Sequence, residues 1–345
     1  MGVIGRIVGG IDRLQQRHRV PAFAFATWRK FSEDQAGRLA ALIAYYGFFS
    51  VFPLLLVLVS VLGIVLAGHT GLQHRVLDSA LVNFPVVGND LQRNVHSLGG
   101  HSALSLALGI ALALWAGTQV VRQLENALDT VWNVPYRRRP NMLVSVARAI
   151  GLLLVLGVVL VVAAALGGVG AGSGTWWWTL AGVVLSLALN VAVFLLAFRV
   201  LTVARVTWSA VLPGALVAGV AWTVLQALGG YYVSHEVRGA SNTYGTFAVV
   251  IGLLGWLYVG GRVTLYAAEL NVVRAERLWP RSILHRPPTA ADQRALRRLA
   301  KVEERRHGQE VRTTLPEERG AASGDEPEGG KSAGGQVGGG SRRAG

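Results

Sequence analysis

Residues 39–66 read LAALIAYYGFFSVFPLLLVLVSVLGIVL, 28 positions without a charge. A helix rises about 1.5 Å per residue, and about 20 apolar residues cross the ~30 Å hydrocarbon core of a bilayer. In lipid every backbone N–H and C=O must find its partner inside the segment, so this run predicts a membrane-spanning helix. It is longer than one crossing needs, which predicts tilt or a kink at Pro53.

Five more apolar runs follow at about 103–121, 143–167, 178–198, 208–232 and 244–270. The rest of the composition agrees: 52% of residues are hydrophobic and only 15% charged, too few for an ordinary soluble domain of this length. The 43 glycines fit membrane helices, where close backbone approach replaces the hydrophobic drive to pack. With no cysteine, disulfides, thiol nucleophiles and thiolate metal sites are excluded. The fold class is therefore all-α, a polytopic membrane bundle of about six transmembrane helices with additional interfacial amphipathic helices.

Loop charge supplies an independent test. Arg and Lys number seven in 1–38, two in 67–102, four in 122–142, none in 167–177, two in 199–207 and one in 233–243, with many more beyond 271. That alternation is what the positive-inside bias produces for six spans with both termini in the cytoplasm. The expected organisation is a basic N-terminal segment (1–38), a membrane domain (39–271), a basic segment (272–306) and a disordered Gly-, Ser- and Glu-rich tail (307–345). No cleavable signal is evident, because the first long apolar run begins near Leu39.

Within the first segment, Val3, Ile4, Ile7, Val8, Ile11 and Leu14 make one helical stripe, predicting an amphipathic helix on the membrane. Ser32-Glu33-Asp34-Gln35 reads as a capping box opening the next helix. In the long connection 67–102, Leu72, Val76, Leu77, Ala80, Leu81 and Phe84 repeat at helical spacing and predict a helix on the outer interface. After the second span, Leu124, Ala127, Leu128, Val131 and Trp132 predict an amphipathic stretch with Glu125 and Asp129 on its other side. Residues 289–306 predict a short charged helix.

Three stretches resemble the YihY/BrkB-like family of bacterial inner-membrane proteins. Ala44-Tyr45-Tyr46 through Ser50-Val51-Phe52-Pro53-Leu54 is similar to its A-Y-Y-x-x-x-S-x-F-P-L signature. Trp115-Ala116-Gly117-Thr118 with Ala127 through Val134 is similar to the stretch A-L-N-x-x-W-x-V, with Asp129 where Asn is common. Tyr244-Gly245, Trp256-Leu257-Tyr258 and Ala268-Glu269-Leu270-Asn271 are similar to its Y-G-S … W-L-Y … G-A-E-L-N ending, with Thr246 for Ser and Ala267 for Gly. The resemblance covers roughly 30–280. It implies six membrane helices, cytoplasmic ends and a role in envelope integrity, and some members are suspected of moving lipids or small solutes. Some have carried a ribonuclease label.

The residues do not support that label. A metal-dependent nuclease needs clustered carboxylates or histidines, and the membrane domain has only Asp78, Asp90, Glu125, Asp129, Glu236 and Glu269, scattered. His69, His74, His96 and His101 are spaced i,i+5 in pairs, off a common helical face, so no metal site is expected. Neither enzymatic activity nor a cofactor is expected. Nucleic acid is not an expected partner either, because Glu303, Glu304, Glu317, Glu318, Asp325, Glu326 and Glu328 interleave with the basic tail. The expected partners are membrane lipids, anionic ones in particular, and a homo-oligomer is left open.

The candidate site is a polar seam between spans one and six: Tyr45, Tyr46, Ser50, Pro53, Arg262, Glu269 and Asn271. An Arg near the bilayer centre costs on the order of 3 kcal/mol, so intramembrane charges are functional candidates by default. Arg262 thus reads as facing a polar cavity, an acidic partner such as Glu269, or an anionic headgroup. Glu269 has a structural alternative in a salt bridge with Arg199, Arg205 or a basic residue near either terminus. Tyr45, Tyr46 and Ser50 have one in helix–helix hydrogen bonding around Pro53. Asn190 and Gln226 read as interhelical links. Two functions follow: moving an amphiphile, or scaffolding the membrane without transport.

Overall fold

The computed structural model describes residues 3–65, 103–170, 176–204, 206–232, 245–283, 288–306 and 308–313. These hold α1 (Val3–Arg17), α2 (Arg19–Glu33), α3 (Ala36–Val65), α4 (Ala103–Val131), α5 (Met142–Gly170), α6 (Trp176–Leu201), α7 (Trp208–Tyr232), α8 (Gly245–Ala275) and α9 (Ala290–Val302), with a 3-10 turn at Tyr136–Arg138. Among the described residues there is no strand. The connection 67–102 with its four histidines and most of the tail lie outside them.

Helices α3 to α8 coincide with the six apolar runs and are 25 to 31 residues long. At about 1.5 Å per residue each is ~37 Å or longer, enough to cross a bilayer. By length and apolarity over the described residues, four qualify as spans without qualification, in α3, α6, α7 and α8, and Met142–Val158 of α5 is a shorter apolar helix. Leu154 and Val158 of α5, Val183 and Val184 of α6, and Val220, Val224 and Leu228 of α7 are exposed. In lipid those side chains meet hydrocarbon, so their exposure carries no penalty.

Neighbour relations close a ring. Each helix from α3 to α8 packs on the next, and α8 returns to pack on α3. Two glycines show how close the backbones come. At Gly261 of α8 a Cβ would stand 3.2 Å from the Ala40 carbonyl oxygen of α3, and at Gly214 of α7 it would stand 2.2 Å from that of Ala267 of α8. Small residues let helices approach in this way where lipid gives no hydrophobic drive.

The buried core lies toward the end of the bundle where α2 docks. It contains Phe198 and Leu201 of α6, Val211 and Ala215 of α7, Leu265 and Val272 of α8, and Leu128 and Val131 of α4. There α4 is buried nearly all round, so Glu125 and Asp129 are not on a solvent side as the pattern suggested. Glu125 accepts from Ser145 and pairs with Arg148 of α5 at 3.3 Å, and Asp129 accepts from the Val203 N–H at 3.0 Å. The second correction concerns Ser32 to Gln35, which close α2 rather than open α3. The Gln35 N–H returns to Ser32 O at 3.1 Å and Gln35 takes a left-handed φ of 52°. The Asp34 carboxylate is drawn to Lys30 instead of capping the next helix.

Candidate functional site

Lys30, on α2, is buried among acceptors. Its Nζ donates to Asp34 and, at 2.7 Å, to the Val131 carbonyl at the end of α4, and it lies 3.1 Å from Glu269 Oε2 on α8. Glu269 is fully buried. Among the described residues neither of its oxygens receives a directed hydrogen bond, so the contact with Lys30 is one of charge. Burial alone would lower the Lys30 ammonium, but Glu269 and Asp34 beside it hold it above its usual value. Burial pushes the Asp34 carboxyl up, against the opposing pull of Lys30. One cation thus serves two carboxylates and joins α2, the α2–α3 turn, α4 and α8. The partner of Glu269 is therefore neither Arg199 nor Arg262.

Asn271, two residues on, has a different task. Its Oδ1 accepts from the Gly214 N–H at 2.6 Å and its Nδ2 donates to the Val211 carbonyl at 3.1 Å. These atoms flank Pro213, which cannot donate to the helix ladder and crowds the carbonyl one turn back. The side-chain amide therefore supports α7 where its own ladder is interrupted. Only a residue without Cβ at 214 lets the amide reach the backbone. The pairing of Pro213-Gly214 with Asn271 is legible only once α7 and α8 are known to be neighbours.

In span one, the buried Ser50 hydroxyl donates to the Gly47 carbonyl of its own helix at 2.7 Å. Tyr45 is exposed and packs edge-on against Tyr46 and Phe49, and Pro53 is half-buried. Arg262 is also exposed. Its guanidinium carbon is 5.7 Å from the ring centres of Phe31 and Tyr258 and 5.9 Å from that of Tyr266, within cation–π range. Phe31 of α2 stacks on Tyr266 at 3.8 Å. Among the described residues Arg262 makes no ion pair. Arg262 lies within the apolar stretch Val250–Ala275, about 18 Å from its start at about 1.5 Å per residue, with Glu269 two turns further along the same stretch. Of the seven candidates, then, Glu269, Asn271 and Ser50 are committed within the protein. Arg262, with its aromatic cradle, stands apart from them.

One network was not anticipated from sequence. Arg281, 1% exposed, grips Glu33 through both terminal nitrogens at 2.7 and 2.8 Å and Asp292 of α9 through Nε at 2.9 Å. Arg29 pairs with the same two carboxylates at 3.0 and 3.2 Å. Asp12 of α1 accepts from Ser282 Oγ at 2.9 Å and the Ile283 N–H at 3.0 Å. Burial would raise the Asp292 carboxyl, but hydrogen bonds from Arg281, Ser282 and Thr289 hold it below its usual value. Helix α1 is thereby tied to the chain after α8. The partners are up to 271 residues apart, so no local pattern announces them. The available signal is charge density alone on either side of the membrane domain.

Known families can now be compared with this arrangement. A family described as virulence factor BrkB matches residues 27–292, which take in the second half of α2, all six long helices and the start of α9. The chain belongs to the BrkB family. This BrkB-family protein is similar to inner membrane protein YhjD of Escherichia coli K12, 25% identical over 73% of this chain and 81% of the relative. It is also similar to UPF0761 membrane proteins of Pseudomonas paraeruginosa and Pseudomonas aeruginosa, each 28% identical over 77% and 76% of this chain. It spans just under two thirds of the length of those Pseudomonas relatives, 66% and 65%. No solved structure matches it. Family and apolar helices together make it an integral membrane protein.

Proposed function

We propose that this BrkB-family protein is a non-catalytic component of the bacterial inner membrane that maintains the envelope by engaging an anionic amphiphile, an acidic phospholipid in the simplest case. The observation that carries the reading is Arg262: an exposed cation, cradled by Phe31, Tyr258 and Tyr266, on a helix that is otherwise apolar to that depth. A guanidinium is weakly hydrated and offers a planar fork of donors that suits phosphate. Its long stem lies along apolar surface while the charged head reaches toward water or a headgroup. The alternation of loop charge supports placing this face, and both termini, in the cytoplasm.

Whether the amphiphile is moved or held divides two versions of this reading. Commitment of Glu269, Asn271 and Ser50 to contacts within the protein favours holding, since it leaves Arg262 without a polar path beside it. The test is reconstitution of wild type and Arg262→Ala in vesicles containing phosphatidylglycerol. Lipid association and transbilayer flux of a labelled acidic lipid are measured beside thermal stability. We expect Arg262→Ala to keep its stability and lose association several-fold. Loss of flux together with association selects transport, and loss of association with no flux in wild type selects a scaffold. Unchanged association in Arg262→Ala refutes both.

A further inference from the structure

On the side of the termini, the chain leaving α4 turns at Asn133 in a left-handed conformation (φ 51°) and runs through Pro135 into the 3-10 turn Tyr136–Arg138. Helix α9 and the strand of chain after it lie opposite, and between them is a cavity of about 720 Å³. Its walls carry Arg137, Arg138, Arg294, Arg297, Arg298 and Lys301. Among the described residues only two carboxylates, Glu304 and Glu310, line it with them. Residues 294, 297, 298 and 301 follow at helical i, i+3, i+4 and i+7 spacing, so α9 presents one basic stripe to the cavity.

Part of this charge is fixed in place by the fold. Arg137 pairs with Glu304 at 2.8 Å, and its backbone N–H donates to the Glu304 carbonyl at 3.0 Å, which anchors the turn to the end of α9. Arg294 donates to the Arg277 carbonyl at 2.6 Å, and Arg298 pairs with Glu276. Two others lack such a restraint: among the described residues Arg138 and Lys301 have no ion pair, and the buried Nε of Arg137 has no hydrogen-bond partner. Basic groups held this close repel one another unless an anion sits among them. The volume falls within the ordinary range of small-ligand sites.

We propose that this cavity binds a multiply charged phosphate group, presented either by a soluble polyphosphate compound or by a lipid headgroup with more than one phosphate. Arginine forks and an ammonium are the donors that recognise such oxygens. The site is separate from Arg262 and does not depend on the lipid role proposed for that residue.

The test uses the full chain in nanodiscs. In neutral phosphatidylcholine discs, calorimetric titration with inorganic tripolyphosphate reads the soluble source. In discs doped with cardiolipin, native mass spectrometry reads the lipid source. Saturable binding in either arm, weakened about tenfold or more in R138E/K301E and by added salt, is the expected result. Arg138 and Lys301 are both exposed, so the double variant should keep its thermal transition. If it does not, K301Q alone is used and should weaken binding in the same direction. R262A should bind tripolyphosphate as wild type does. Absence of saturable binding in both arms overturns the proposal, as does binding that R262A abolishes and R138E/K301E leaves intact.

Discussion

Replacing Lys30 by Ala should be among the most damaging single changes this protein can suffer, and the size of the loss follows from what is left behind. Among the described residues Lys30 is the only cation within ion-pairing distance of Glu269, which is fully buried, and it is the partner of Asp34, which is nearly so. Removing it strands two carboxylates away from water and frees the Val131 carbonyl at the end of α4. Removing one partner of a buried ion pair costs about 3–5 kcal/mol, and the unpaired carbonyl adds to that. Glu269→Gln should behave oppositely. It keeps the volume, removes the repulsion between two carboxylates and leaves Lys30 with Asp34, so it should cost about 1 kcal/mol or less. In K30A/E269Q, part of the Lys30 loss, about 1–3 kcal/mol, should return. Equilibrium unfolding in detergent micelles, followed through the ten tryptophans, gives all four corners of the cycle. Equal losses for K30A and E269Q, or a double variant additive within about 0.5 kcal/mol, would falsify the argument that charge, rather than volume, joins α2 to α8.

Asp129 predicts a pH effect. Burial pushes its carboxyl from 3.8 to about 6, against the pull of the Val203 N–H and Arg139. A carboxyl raised on folding binds its proton more tightly in the native state. Its contribution is therefore fully present below about pH 4 and is lost as pH rises through 6, leaving wild type about 1 kcal/mol more stable at pH 5 than at pH 7 through this group. Asp129→Asn should abolish that difference and be neutral or stabilising at pH 7, which unfolding curves at both pH values compare. Gly214→Ala should cost about 2–3 kcal/mol by forcing α7 off α8, and Asn271→Ala about 1–3 kcal/mol by stranding the Gly214 N–H. Their combination should cost less than the sum, since either change alone already breaks the same contact, and the same unfolding assay reads it.

The six long helices are legible in the sequence because lipid makes the signal strong: each apolar run needs no tertiary information to be recognised. The charged residues are harder to place. Glu269 in an apolar helix announces that it requires a cation, but which one depends on α2 folding back against α8, a contact between residues 30 and 269 that no local pattern encodes. Glu125 and Asp129 were misplaced because a polar side in a periodic stretch reads as facing water, whereas here it faces Ser145 and the chain after α6. The end of α2 was misread for a related reason. Ser32 to Gln35 can cap a helix or end one, and the tertiary demand of Lys30 on Asp34 selects the second. Arg262 was found by its position in the apolar run, while its aromatic surroundings, one ring of which comes from α2, became visible only in three dimensions.

Closure of the ring through α3 and α8 makes the first and last long helices direct neighbours. During synthesis, then, α3 enters the bilayer with one flank unmatched and keeps it so until nearly the whole membrane domain has been made. Lys30 and Asp34 wait at the surface for the same event, and the arrival of Glu269 draws them out of water as Gly261 settles on Ala40. Synthesis of α8 and sealing of the bundle are one step, so a protein truncated before α8 should remain recognisably unfinished to the machinery that degrades orphaned membrane segments.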